Sequence, residues 1–102
     1  MTVAAGEPFT LRVSLDLRGA EVEGSVLDLD AVCTARRLGG TWPQTIAELS
    51  GKVQAGDELS LELRSAGLAP GTYRLEVAVG LGTAEAPGSL SALLDGGVLQ
   101  VS

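Results

Sequence analysis

Phe9, Leu11, Val13, Leu15 and Leu17 occupy every second position, with Thr10, Arg12, Ser14, Asp16 and Arg18 between them. A strand turns successive side chains to opposite faces, so this is the period of a strand with one dry face and one wet face. Gly19 marks its end, and the AEVEGS that follows reads as a polar connection. A second strand is predicted from about Leu29 to Leu38. Ala31, Cys33 and Ala35 share one of its faces, and Val32, Thr34 and Arg36 the other, so both faces are expected to be partly covered. Gly39 and Gly40 stop it, and the chain restarts through Thr41, Trp42 and Pro43 into QTIAELSGKV, which reads as a hairpin with a short outer strand. After the turn QAGDE, Leu59, Leu61 and Leu63 alternate with Ser60, Glu62 and Arg64. Tyr73, Leu75, Val77, Val79 and Leu81 then alternate with Arg74, Glu76, Ala78 and Gly80, and a short strand is expected near Val98 to Val101. The count is six or seven strands.

No stretch has the period of an amphipathic helix of normal length. Strands every 10 to 15 residues with glycine-marked turns predict an all-β fold, a two-sheet antiparallel β-sandwich with Greek-key connections. Fourteen glycines alongside 45% apolar residues fit that reading. The 102 residues are expected to form one domain, residues 1–102. A chain of this size buries roughly 65% of its unfolded surface and stands without disulfides.

The stretch LAPGTY from Leu68 to Tyr73 precedes the best-patterned late strand. In this order Pro70 presets a turn, Gly71 permits it, and Tyr73 can send its hydroxyl back to backbone a few residues upstream. That is the tyrosine corner of immunoglobulin-like sandwiches. On these residues and the strand spacing, the chain resembles immunoglobulin-like and fibronectin-type accessory domains, particularly those common in bacterial proteins, over nearly its whole length. It departs from antibody-type domains in having Leu75 where a second cysteine would stand, and in holding Trp42 outside the second long strand. The resemblance implies a fold and a habit of binding proteins or sugars, and carries over no functional residue.

Thirteen carboxylates against seven basic residues give a net charge of −6. Such a surface does not track phosphates, so neither nucleic acid nor an anionic membrane is expected as a partner. No apolar run is long enough to cross a bilayer. The single cysteine, Cys33, cannot form an internal disulfide, and MTVAAGEPF has neither the basic start nor the apolar stretch of a secretion signal. The cytosol is the default expectation; an exported domain cut from a longer protein would read the same way.

Absence of histidine removes the common nucleophile–base pairs and histidine-ligated metals, so no enzyme and no cofactor are expected. Cys33 lies among apolar residues and reads as a packed thiol. Glu21, Glu23, Asp28 and Asp30 crowd ten positions but match no calcium-loop spacing, so they read as a solvated edge. Arg12, Glu62, Arg74 and Glu76 face outward and read as cross-strand charge pairs. Two features remain. Trp42 lies beside Pro43 after a glycine pair, where it either caps the core or presents a ring to a ligand. Thr83 to Gly97 is longer than a hairpin needs and sets Leu90, Leu93 and Leu94 at helical spacing. It reads either as an interaction loop or as one helical turn closing the core. The expected function is a non-catalytic protein-interaction or assembly module, binding another protein or its own copy through Leu90, Leu93 and Leu94 or a sheet edge. The alternative is carbohydrate recognition on Trp42, aided by Gln44 and Glu48.

Overall fold

The alternation from Phe9 builds a strand because its apolar set can be buried only if the chain is extended with one face inward. The computed structural model describes residues 2–16, 26–40, 42–54, 58–82 and 90–102. The described residues form seven strands: β1 (Thr2–Val3), β2 (Phe9–Asp16), β3 (Val26–Arg37), β4 (Gln44–Gln54), β5 (Glu58–Ser65), β6 (Gly71–Gly82) and β7 (Leu90–Val101). The fold is all-β, in two sheets. One has five strands in the order β1-β7-β6-β3-β4, and the other pairs β2 with β5. The chain changes sheet between β1 and β2, between β2 and β3, between β4 and β5, and between β5 and β6; β3–β4 and β6–β7 are antiparallel neighbours within one sheet.

Several expectations are corrected. The sheets are not purely antiparallel, because β1 runs parallel to β7, with Thr2 opposite Gln100 and Val3 opposite Val101. The second strand begins at Val26 rather than Leu29, since Leu27 is needed for the core and pairs with Val53. The outer strand is not short: β4 has 11 residues. The last strand starts at Leu90 instead of near Val98, so the segment holding Leu90, Leu93 and Leu94 is neither a loop nor a helical turn. It extends because β6 is itself 12 residues long and offers it a ladder from Gly71 to Leu81. Leu17, Arg18 and Gly19, the acidic Glu21 and Glu23, the turn residues 55–57 and the part of the long connection spanning 83–89 lie outside the described residues.

One core joins the sheets. Leu27, Leu29, Ala31, Cys33 and Ala35 of β3, Ala47 of β4, Tyr73 to Leu81 in alternation on β6, and Leu99 and Val101 of β7 face Phe9 of β2 and Leu61 and Leu63 of β5. Each fully buried leucine contributes about 1.5–3 kcal/mol of transfer free energy. The other face of β3 is half covered at Val32 and Thr34 and open at Arg36.

A bulge explains why β7 has no readable alternation. Val77 lies opposite Leu94 but Leu75 lies opposite Gly97, so β7 carries one extra residue there. The extra residue reverses the parity of the strand, putting both Leu94 and Leu99 on the core side. Gly97 takes φ 79°, and its N–H donates to the Asp95 Oδ1 at 2.8 Å. The β3–β4 ladder shifts in the same way between Cys33 and Thr34, where Ile46 is the additional residue.

At the corner before β6, the Tyr73 hydroxyl donates to the Ala69 carbonyl at 2.8 Å. Pro70 makes the bend and Gly71 opens the strand. Leu68 is buried there and its carbonyl accepts from the Gly6 N–H at 3.0 Å. Gly67 packs so closely on this segment that a Cβ would overlap the Gly6 carbonyl carbon and oxygen.

Candidate functional site

The five-stranded sheet has one face in the core and one in solvent, and registers decide which outward side chains become neighbours. Across its outer face, Val32 on β3 lies opposite Ala78 on β6, and Ala78 opposite Leu93 on β7. Val32 is half-buried, Ala78 is exposed, and Leu93 is 72% exposed. The row ends at Glu48, opposite Val32 on β4. Val98, 53% exposed, stands further along the same face of β7, opposite Arg74. An outward row of apolar residues across three strands departs from the polar covering that a solvated sheet face normally carries.

Leu93 and Leu94, which the spacing placed side by side, point to opposite faces. Leu94 is half-buried against the core, while Leu93 stands in water. Leu90 heads the strand opposite Leu81. The structure therefore separates Leu93 from Leu94. Neither Ala78, Val32 nor Val98 was marked by the sequence, because each lies in an ordinary strand pattern and the row exists only through the pairing of distant strands.

Trp42 is 84% exposed, in the connection from β3 to β4. It does not cap the core. Its neighbour Pro43 lines a cavity of about 120 Å³ with Thr34, Arg36, Arg74 and Glu76, at the end of the outer face that carries the β3–β4 turn. Arg36 and Arg74 are directly opposite one another. Arg74 is compensated by Asp95, at 3.0 Å on β7. The Asp95 carboxyl is held below its ordinary value, first by the Gly97 N–H it accepts and then by the Arg74 guanidinium. Gln44 and Glu48, the polar groups envisaged beside Trp42, are both exposed on β4.

Two further charge pairs cross between strands. Arg12 meets Glu62 at 3.0 Å across β2 and β5, and Lys52 meets Asp28 at 3.2 Å across β4 and β3. Exposed pairs of this kind contribute about 0–1 kcal/mol each. Among the described residues no three histidine, cysteine or carboxylate groups are gathered to hold a metal ion. Cys33 is fully buried, and burial pushes its thiol up from the ordinary 9.0, away from the reactive thiolate. Among the described residues no helix is long and apolar enough to cross a membrane.

Against known proteins, the chain matches no family model and no curated protein.

Proposed function

We propose that this chain is a non-catalytic protein-interaction or assembly module, with an immunoglobulin-like Greek-key sandwich as scaffold and the outer face of the five-stranded sheet as its contact surface. The observation that carries the reading is the row Val32–Ala78–Leu93, continuous across three strands and turned to solvent. Exposed single apolar residues are ordinary, but a contiguous row rimmed by polar groups is what a protein partner covers. Here the rim is Glu48 on one side and Ser91, Asp95 and Glu76 around Leu93 and Ala78. Support for the scaffold comes from the alternation of sheets along the chain and from the Tyr73 hydroxyl tied to Ala69. A cytoplasmic setting fits a lone, unpaired thiol.

Immobilised wild-type protein and Leu93→Asp, each folded by circular dichroism, are compared for the proteins they retain from extract and for self-association by light scattering. A partner, or a second copy, held by the wild type and lost by the variant is the expected result. Equal retention by both refutes this face as the contact surface.

A second reading rests on Trp42, whose exposed ring and adjoining cavity lined by Thr34, Arg36 and Glu76 suit an aromatic stacking platform with hydrogen-bonding groups beside it. Carbohydrate recognition is then expected on a glycan array and disappears in Trp42→Ala with folding intact; an array with no response removes this reading.

A further inference from the structure

We propose that the outer edge of β4 pairs antiparallel with the same edge of a second copy, about a two-fold axis through Ser50 that stands perpendicular to the sheet. This rests on the interaction-module reading and names its partner. β4 ends the order of the five-stranded sheet, and among the described residues no strand pairs with its outer side. It is a long edge without proline, and its bulge is confined to Ile46 near its start. From Ala47 to Gln54 the ladder to β3 is regular, leaving eight consecutive residues as a straight template. Proteins that avoid edge pairing shorten, bend, interrupt or charge such a strand; over that stretch β4 carries only charge, and its Glu48 and Lys52 are of opposite sign.

The side chains choose the register. A perpendicular two-fold keeps both core faces on the same side, so it passes through one residue, and residues equidistant from it lie opposite each other. With the axis at Ser50, Glu48 faces Lys52 of the second copy and Lys52 faces its Glu48, all exposed on the outer face. Moving the axis to Leu49 or Gly51 sets Glu48 opposite Ser50 or Gln54 instead, so the Ser50 register alone joins unlike charges. A groove of about 310 Å³ lies beside that position, lined by Asp30, Val32, Glu48 and Ser50 among others, and its carboxylates are placed to receive the incoming lysine. On the core side, half-buried Val53 comes opposite Ala47 of the second copy, continuing the apolar layer across the junction. Pairing would fuse two five-stranded sheets and set two Val32–Ala78–Leu93 rows on one continuous face, giving a partner two contacts at once.

Sedimentation equilibrium across a concentration series tests this. The wild type is expected to rise from 10.4 kDa toward twice that mass. Glu48→Lys and Lys52→Glu, each checked for folding by circular dichroism, should each weaken association by about tenfold or more, because two attractive cross-strand pairs become repulsive. An equimolar mixture of the two variants should associate again, since the two lysines of one then face the two glutamates of the other. Restoration by mixing cannot come from a variant that misfolds. A wild type that stays monomeric throughout, or a mixture no tighter than its components, overturns the pairing. A dimer that Leu93→Asp dissolves and the charge reversals leave intact also overturns it, while upholding the outer face as the contact surface.

Discussion

Replacing Tyr73 by phenylalanine removes one oxygen and nothing else from the corner between β5 and β6. The ring is buried and lies opposite Leu99 on β7 and Arg37 on β3, so its apolar packing survives the change. What is lost is the 2.8 Å hydrogen bond to the Ala69 carbonyl. A neutral hydrogen bond of this kind contributes about 1 kcal/mol net, and orphaning a buried acceptor adds about 1–3 kcal/mol. Ala69 is exposed, so water can replace the hydroxyl at its carbonyl and the added cost largely disappears. The expected destabilisation is therefore about 1 kcal/mol, read as a lower urea midpoint with an unchanged m value. In a thermal scan it amounts to a fall of about 4–8 °C for a domain near this size. A midpoint identical to that of the wild type would refute the claim that the hydroxyl ties the corner. A loss of about 3 kcal/mol or more would refute the claim that the carbonyl is rehydrated, and would mean that the bend itself comes apart.

Gly67→Ala is expected to cost about 1–3 kcal/mol or more in chemical denaturation, because the overlap is with Gly6 backbone and no flexible side chain can give way. Gly51→Ala on β4, with open space around its Cβ, is the matched control and should stay within about 0.5 kcal/mol of the wild type. Asp95 gives a pH dependence with a definite sign. Its folded value lies below the ordinary 3.8, so its contribution is present above that value and is lost as pH falls through the lower folded one. The gap in denaturation midpoint between the wild type and Asp95→Asn should accordingly narrow from about pH 5 to about pH 2; a gap that does not change with pH contradicts the assignment.

The strands with unbroken alternation were legible from the chain alone. In β2, β5 and β6, Phe9, Leu61, Leu63 and Tyr73 to Leu81 keep one parity from end to end, so period two is enough to find the strand and its core face. β7 was not legible because its parity reverses at the bulge: Leu94 and Leu99 both face the core although Leu99 is an odd number of positions along from Leu94. Leu90, Leu93 and Leu94 precede the bulge and imitate helical spacing for another reason: Leu93 stands outward on a regular ladder, one residue before the core-side Leu94. The candidate surface was hidden for a different reason. Leu93 stood out as an unexplained apolar residue, but Ala78 and Val32 join it only when β3, β6 and β7 are set in register, and that alignment belongs to contacts between residues far apart in the chain.

The two bulges bear on function as well as on legibility. One lies between Cys33 and Thr34 on the β4 side of β3, the other between Leu75 and Glu76 on the β7 side of β6, and Thr34 is directly opposite Glu76. Both irregularities therefore fall at one level of the sheet, one on each flank, and bulges bend a sheet and increase its twist where they occur. On one side of that level lie Val32, Ala78 and Leu93 with the regular part of β4; on the other lie Arg36, Arg74, Val98 and the turn bearing Trp42. The outer face is thus divided into an apolar half beside a straight edge and a charged half beside an exposed ring. A protein contact on the first half and a ligand on the second would not compete for the same residues, which is why Leu93→Asp and Trp42→Ala separate the two readings instead of disabling one shared site.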